Sequence, residues 1–122
     1  MEVELKTAVF TALDAALSVT VYNGAPLNAA PPYVDIDEYY ADDWSTKDFT
    51  GTRVVLRIHV WHENRDTCGT IMKQIRTALD RVDLTVTGYN FVDGQYRSSQ
   101  SMTDADGETR HGIVEFEFTA HG

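Results

Sequence analysis

The chain has 122 residues, with 19 Asp and Glu against 10 Lys and Arg and a formal charge of −9. That length fits a single domain, residues 1–122, large enough to bury roughly two thirds of its unfolded surface. A hydrophobic fraction of 43% with only three prolines excludes a disordered chain. The acidity excludes a surface that grips DNA, which needs clustered Lys and Arg against the phosphates.

One cysteine, Cys68, leaves no intrachain disulfide and no Cys-rich zinc motif. It is compatible with a reducing compartment. Met1-Glu2-Val3-Glu4-Leu5-Lys6 lacks the basic start and apolar run of a signal peptide. No apolar stretch approaches the ~18 residues of a membrane span, so a soluble protein without a membrane partner is expected.

Residues 2–18 are predicted as an amphipathic helix, with Leu5, Val9, Ala12, Leu13, Ala16 and Leu17 at three- and four-residue spacing. Asn23-Gly24 marks a turn, and Ala25 to Pro32 contains all three prolines and reads as an irregular surface connection. A strand is predicted from Tyr33 through Ile36. Between Asp35 and Asp48 six carboxylates face one lysine, a net −5. The clearest strand runs from Arg53 to Trp61, with Val54, Leu56, Ile58 and Val60 on one face and Arg53, Val55, Arg57, His59 and Trp61 on the other.

A second helix is predicted over about 65–81, with Asn64 or Asp66 as N-cap and Cys68, Ile71, Met72, Ile75, Leu79 and Val82 as its apolar stripe. Leu84–Val92 and Gln95–Met102 are predicted as strands joined across Asp93-Gly94, a hairpin signal. A turn at Asp104-Ala105-Asp106-Gly107 then leads to a last strand in which Val114, Phe116 and Phe118 alternate with Ile113, Glu115, Glu117 and Thr119. The order of elements predicts an α+β fold, a mostly antiparallel sheet of about five to six strands packed with two helices.

Catalytic chemistry is thin. His59, His62 and Glu63 form the most enzyme-like cluster. Histidines three apart on a strand point to opposite faces, and Asp66 stands where a zinc-protease helix needs its second histidine. Asp104, Asp106 and Gly107 resemble part of a calcium loop. With Gly107 at the sixth position, however, Met102 and Ile113 fall where carboxylates are required. Cys68 lies on an apolar stripe, where a buried thiol is expected rather than a nucleophile. There is no phosphate loop, dinucleotide fingerprint or nucleophile elbow. Asp42 and Asp43 form a carboxylate pair, yet an acidic run is more often solvated or partner-facing than metal-binding. No catalytic, cofactor or metal residue is assigned, and a non-enzymatic protein without cofactors is expected.

The acidic segment is unusual in carrying Tyr39, Tyr40, Trp44 and Phe49. Aromatic rings are enriched at interfaces because they give large contact area at low entropic cost. Tyr39, Tyr40, Asp42, Asp43 and Trp44 are therefore the candidate partner interface, read as an acidic, aromatic-bearing arm that docks on a neighbouring subunit. The alternative is that these rings fold back on their own core.

Several stretches, in order, carry a resemblance. They are Ala12-Leu13-Asp14-Ala15-Ala16-Leu17, Pro31-Pro32-Tyr33-Val34-Asp35-Ile36, Asp43-Trp44-Ser45-Thr46-Lys47, His59-Val60-Trp61 with the helix after it, and Asp104-Ala105-Asp106-Gly107-Glu108-Thr109-Arg110-His111-Gly112. Together they resemble the tail completion, or tail terminator, proteins of long-tailed bacteriophages and gene transfer agents. The resemblance implies a structural virion protein that assembles as a homo-oligomeric ring, typically a hexamer. Such a ring caps the tail tube, ends tail polymerisation and provides the head-joining surface.

The expected partners are the tail tube protein and a head-completion or connector protein, with DNA passing through without specific binding. The expected location is the head-proximal end of the virion tail, after assembly in the bacterial host cytoplasm. Relatives often carry basic residues on the last strand, where this chain has Glu115 and Glu117. A head–tail connector or adaptor of a phage-like particle is the alternative function. A small metal-dependent hydrolase using His59, His62 or the acidic segment is a further one.

Overall fold

The computed structural model describes all residues, Met1–Gly122. Its elements in chain order are α1 (Glu2–Ala16), β1 (Thr20–Tyr22), β2 (Tyr33–Asp43), β3 (Gly51–His62), α2 (Arg65–Leu79), β4 (Asn90–Thr103) and β5 (Arg110–His121). The five strands form one sheet in the order β1-β2-β3-β5-β4. The β1–β2 pair is parallel and every other neighbouring pair is antiparallel. The α+β class with two helices holds. The sheet has five strands, and one of them, β1, is a three-residue stretch of strand-favouring residues too short to stand out in the sequence.

Both helices lie on one face of the sheet. α1 packs over β1 and β2, while α2 packs over β3, β5 and β4. Leu5, Val9 and Leu13 of α1 are fully buried, as their spacing predicts, whereas Ala16 is exposed. α1 ends at Leu17, whose backbone is extended, where Val19, Thr20 and Val21 bring a β-branched run.

α2 starts where its sequence says. The Asn64 side chain accepts a hydrogen bond from the Thr67 N–H at 3.0 Å, satisfying a donor that the first helical turn would otherwise leave open. Cys68, Ile71, Met72, Ile75 and Leu79 form its buried stripe, but Val82 lies beyond the helix and is exposed.

The helix-facing row of β3, Val54, Leu56, Ile58 and Val60, meets Phe118, Phe116, Val114 and Gly112 of β5 in register. At Gly112 an added Cβ would lie 2.5 Å from the Met72 sulfur, so the absence of a side chain lets α2 settle on the sheet. Twenty-one buried residues form one continuous core. Each large side chain in it contributes about 1.5–3 kcal/mol by leaving water.

Two predicted elements are corrected. Leu84–Val92 is a strand only in its last three residues, which open β4: residues 80–89 are irregular, and Leu84 and Val86 reach down to close the core individually. Asp93-Gly94 is not a hairpin turn either. β4 runs straight through it from Asn90 to Thr103, with bulges between Phe91 and Asp93 and between Tyr96 and Ser98. The glycine serves close packing instead, since a Cβ at Gly94 would lie 2.7 Å from the Phe118 ring. The hairpin that does form is β4–β5 across Asp104–Gly107, as the turn signal there predicts.

The acidic segment is the third correction. It is not an arm: residues through Asp43 belong to β2, and only 44–50 form a loop.

Candidate interaction surface

The face of the sheet opposite the helices has no covering layer, and its side chains pair with one another. Asp42 on β2 grips Arg53 on β3 through two guanidinium nitrogens. Arg53 also reaches Glu117 on β5 at 3.4 Å, and Arg97 on β4 meets the other oxygen of Glu117 at 3.3 Å. One row of alternating charges thus crosses four strands. The Arg53 guanidinium holds the Asp42 carboxyl below its ordinary range. Glu117 is answered by arginines on both flanking strands and Glu115 by Arg97 on β4 alone, at 4.0 Å.

A second row runs at the other end of the face. Glu38 lies 3.1 Å from Arg57 and 2.6 Å from His59 Nε2, while His59 Nδ1 lies 2.8 Å from His111 Nε2. Partial burial alone would raise the Glu38 pKa. The hydrogen bond from His59, the Arg57 charge and the remaining pairing outweigh burial and lower it. His111 stacks on Trp61 at 4.5 Å, and Trp61 stacks on Tyr33 at 4.8 Å. Burial lowers the His111 pKa, helped by neighbouring His59 and Arg57 against the opposing pull of Asp104 and Glu38. The Tyr33 hydroxyl is pushed up, first by burial and then by Asp35 and Asp104.

This cluster was only half visible in the sequence. His59 does part from His62, whose Nδ1 accepts the Asn64 N–H. Its real partner, His111, is 52 residues away and becomes a diagonal neighbour only through the β3–β5 register. A histidine at the head of a predicted strand was the available signal, but the register was not. No group of three His, Cys, Asp or Glu side chains converges as a metal set.

The five candidate interface residues do not form one patch. Tyr39 and Tyr40 are exposed on adjacent positions of β2 and so point to opposite faces. Tyr39 lies on the helix side, where Lys6 sits 5.2 Å from its ring centre, and Tyr40 lies on the open side. Asp42 is committed to Arg53. Asp43 is exposed and bonds to the Ser45 hydroxyl. Trp44 is half-buried against Phe49, and Phe49 in turn packs on His121. The loop is closed by Trp44 N–H to Gly51 C=O at 3.0 Å and by the Ser45 hydroxyl, which accepts the Gly51 N–H at 3.1 Å. Of the two sequence readings, Trp44 and Phe49 fold back on their own domain, while Tyr39, Tyr40 and Asp43 face outward.

Cys68 is fully buried and burial raises its pKa, the setting of an inert thiol. Asp106 accepts hydrogen bonds from the Thr109 hydroxyl and from the N–H groups of Thr109 and Glu108, bonds that lower its pKa and close the β4–β5 turn. The largest surface depression, about 500 Å³, lies along α1 and is lined mainly by threonine and alanine, with Glu4 its one titratable side chain. No helix is long and apolar enough to cross a membrane.

The whole domain has relatives. The tail completion protein gp17 of Bacillus phage SPP1 is 33% identical over 89 residues, a stretch covering 72% of this chain and 66% of that protein. The chain therefore spans just under two thirds of the length of that relative. Among solved structures, a chain in the virion of a native gene transfer agent particle superposes with a TM-score of 0.85 at 20% identity. The superposition covers 97% of this chain and 95% of the other, which establishes a shared fold. A family model described as tail completion protein gp17 matches residues 6–121, from the second turn of α1 to the last residue of β5, and the chain belongs to that family of phage tail structural proteins.

Proposed function

We propose that this protein forms a ring that caps the tail tube of a phage-like particle, ends tail polymerisation and offers the surface to which a head is joined. The observation that carries the reading is the family match over residues 6–121, which takes in every strand of the sheet and nearly all of both helices. The open sheet face supports it. Its charges are paired across strands and no layer of this chain covers it, which leaves an ordered face open to a partner.

The ring is a homo-oligomer, taken as a hexamer, set between the tail tube protein and a head-completion or connector protein at the head-proximal end of the tail. It assembles in the host cytoplasm. DNA passes through it without specific binding. The chain's −9 charge opposes the DNA phosphates, and four of its ten basic side chains, Lys6, Arg53, Arg57 and Arg97, are already held by carboxylates. Tyr39, Tyr40 and Asp43 are the outward side chains of the candidate interface; Asp42 and Trp44 brace the strand and loop that present them.

Electron microscopy of tail tubes with and without the purified protein tests this reading. Ring-shaped caps at one tube end are expected, and tubes that stay open and keep growing would overturn it. The double variant Tyr40→Ala, Asp43→Asn is expected to fold and to cap poorly. Capping at the wild-type level would remove these residues from the interface.

A further inference from the structure

The two outer edges of the sheet are each half closed and half open. On β4 the closed half is the first. The left-handed backbone of Arg81, φ 57°, turns its N–H to the Gly94 carbonyl at 2.8 Å, and the Asp80 carboxylate accepts the Tyr96 N–H at 2.9 Å. Beyond the bulge at Tyr96 and Ser98 the alternation turns the backbone groups of Ser99, Ser101 and Thr103 outward, and these have no partner. On β2 the closed half is again the first, because β1 pairs only with Tyr33–Asp35. The register with β3 turns Tyr39, Ala41 and Asp43 outward, also without backbone partners.

Free strand edges are ordinarily guarded by Lys, Pro, a bulge or a covering segment. Ser98-Ser99-Gln100-Ser101-Met102-Thr103 has no charge and no proline, and all six residues are exposed. Beyond the bulge at its start, its open side is unguarded.

We infer that the open edge of β4, Ser98–Thr103, pairs antiparallel with the open edge of β2, Glu38–Asp43, in a second copy of this chain. Each open edge is six residues long. β4 and β2 run in opposite senses within the sheet, so a rotation about an axis inclined to the strands, which levels the two open halves, sets them side by side as an antiparallel pair. The contact joins two different patches, which builds a head-to-tail assembly, a ring where the rotation closes, rather than a two-fold dimer.

Charge favours the same choice. Two β2 edges would set Glu38, Asp42 and Asp43 against their own copies, whereas the β4 segment carries nothing that repels them. The open halves also lie at opposite ends of the sheet. The middle of one is level with His59–Val60 of β3 and the middle of the other with Val54–Val55, an offset of about five residues or ~17 Å. Joining them staggers each copy against the next, as closure of a sheet into a barrel requires.

This inference rests on the ring reading and adds to it the strands that meet. The test is amide hydrogen exchange on the wild-type ring, isolated by size. The amides of Ser99, Ser101, Tyr39 and Ala41 are expected to exchange at least about tenfold more slowly than those of Ala105 and Asp106 in the exposed β4–β5 turn. Exchange as fast as in that turn, in a protein that does form rings, would overturn the edge pairing and leave the ring standing. A wild-type protein that forms no ring, with or without tubes, would overturn both. Ser101→Pro removes an outward N–H while sparing the ladder to β5. A folded Ser101→Pro protein that stays monomeric supports the pairing, and one that forms rings at the wild-type yield overturns it.

Discussion

The two faces of the sheet are built from the same strands by alternate residues, yet they are stabilised differently. On the helix side Val54, Leu56, Ile58, Phe116 and Phe118 are fully buried. On the open side Arg53, Arg57, Glu115 and Glu117 are half-exposed and pair across strands. One face commits its energy to this chain's own helices. The other satisfies its charges in place, at modest gain, and leaves a surface available to partners. Single substitutions should separate them. Phe118→Ala is expected to cost about 3–5 kcal/mol in urea unfolding, because both its transfer energy and its packing are lost. Glu117→Gln, one position away, is expected to cost under about 1 kcal/mol, as for other solvent-screened pairs. Comparable losses would break the comparison, by showing that the open face is as integral to the core as the covered one.

The glycines beneath the helices sharpen it further. Gly94→Ala would put a Cβ 2.7 Å from the Phe118 ring, and the stiff aromatic has little room to yield. About 1–3 kcal/mol of destabilisation is expected from the overpacking. Gly112→Ala meets Met72 at 2.5 Å instead, and a flexible thioether side chain can move aside. Its urea midpoint should fall less than that of Gly94→Ala, and the reverse order would mean that α2 is less adjustable on the sheet than β4.

Where periodicity and capping act locally, the fold is legible in the sequence. The stripe of α2, its Asn64 cap and the alternation of β3 and β5 follow from neighbours a few residues apart. Asp93-Gly94 misleads because a glycine demanded by the Phe118 ring carries the same letters as one demanded by a turn. The short β1 exists only because β2 offers it an edge. The acidic segment is recognisable by charge and aromatics, but not as a strand. Its residues divide between the two faces, and one of them, Asp42, is spoken for by an arginine 11 positions on. The His59–His111 contact and the half-open edges depend on register and long-range pairing, which no local pattern encodes.

The smallest expected effect lies in that histidine pair. His59 Nε2 faces Glu38, and its Nδ1 faces His111, so one nitrogen of the second contact must stay unprotonated for the bond to persist. Burial and the adjacent His59 and Arg57 lower the His111 pKa below its unfolded value near 6.5, against Asp104 and Glu38. The unfolded chain therefore takes up this proton first. The stability associated with neutral His111 is present above about pH 6.5 and is lost as the pH falls through the interval between the unfolded and folded values. Glu38 adds a separate loss at lower pH, since its carboxyl is also held below its ordinary value. Urea midpoints for the wild type should decline from pH 7 to pH 5, and His111→Asn should flatten that decline. The Arg53–Asp42 pair makes no contact with a histidine and should be indifferent to this window, so Asp42→Asn is expected to leave the slope between pH 7 and pH 5 unchanged. An unaltered slope in His111→Asn would show that the pair is an ordinary surface contact, and that the two ends of the open face respond to acid alike.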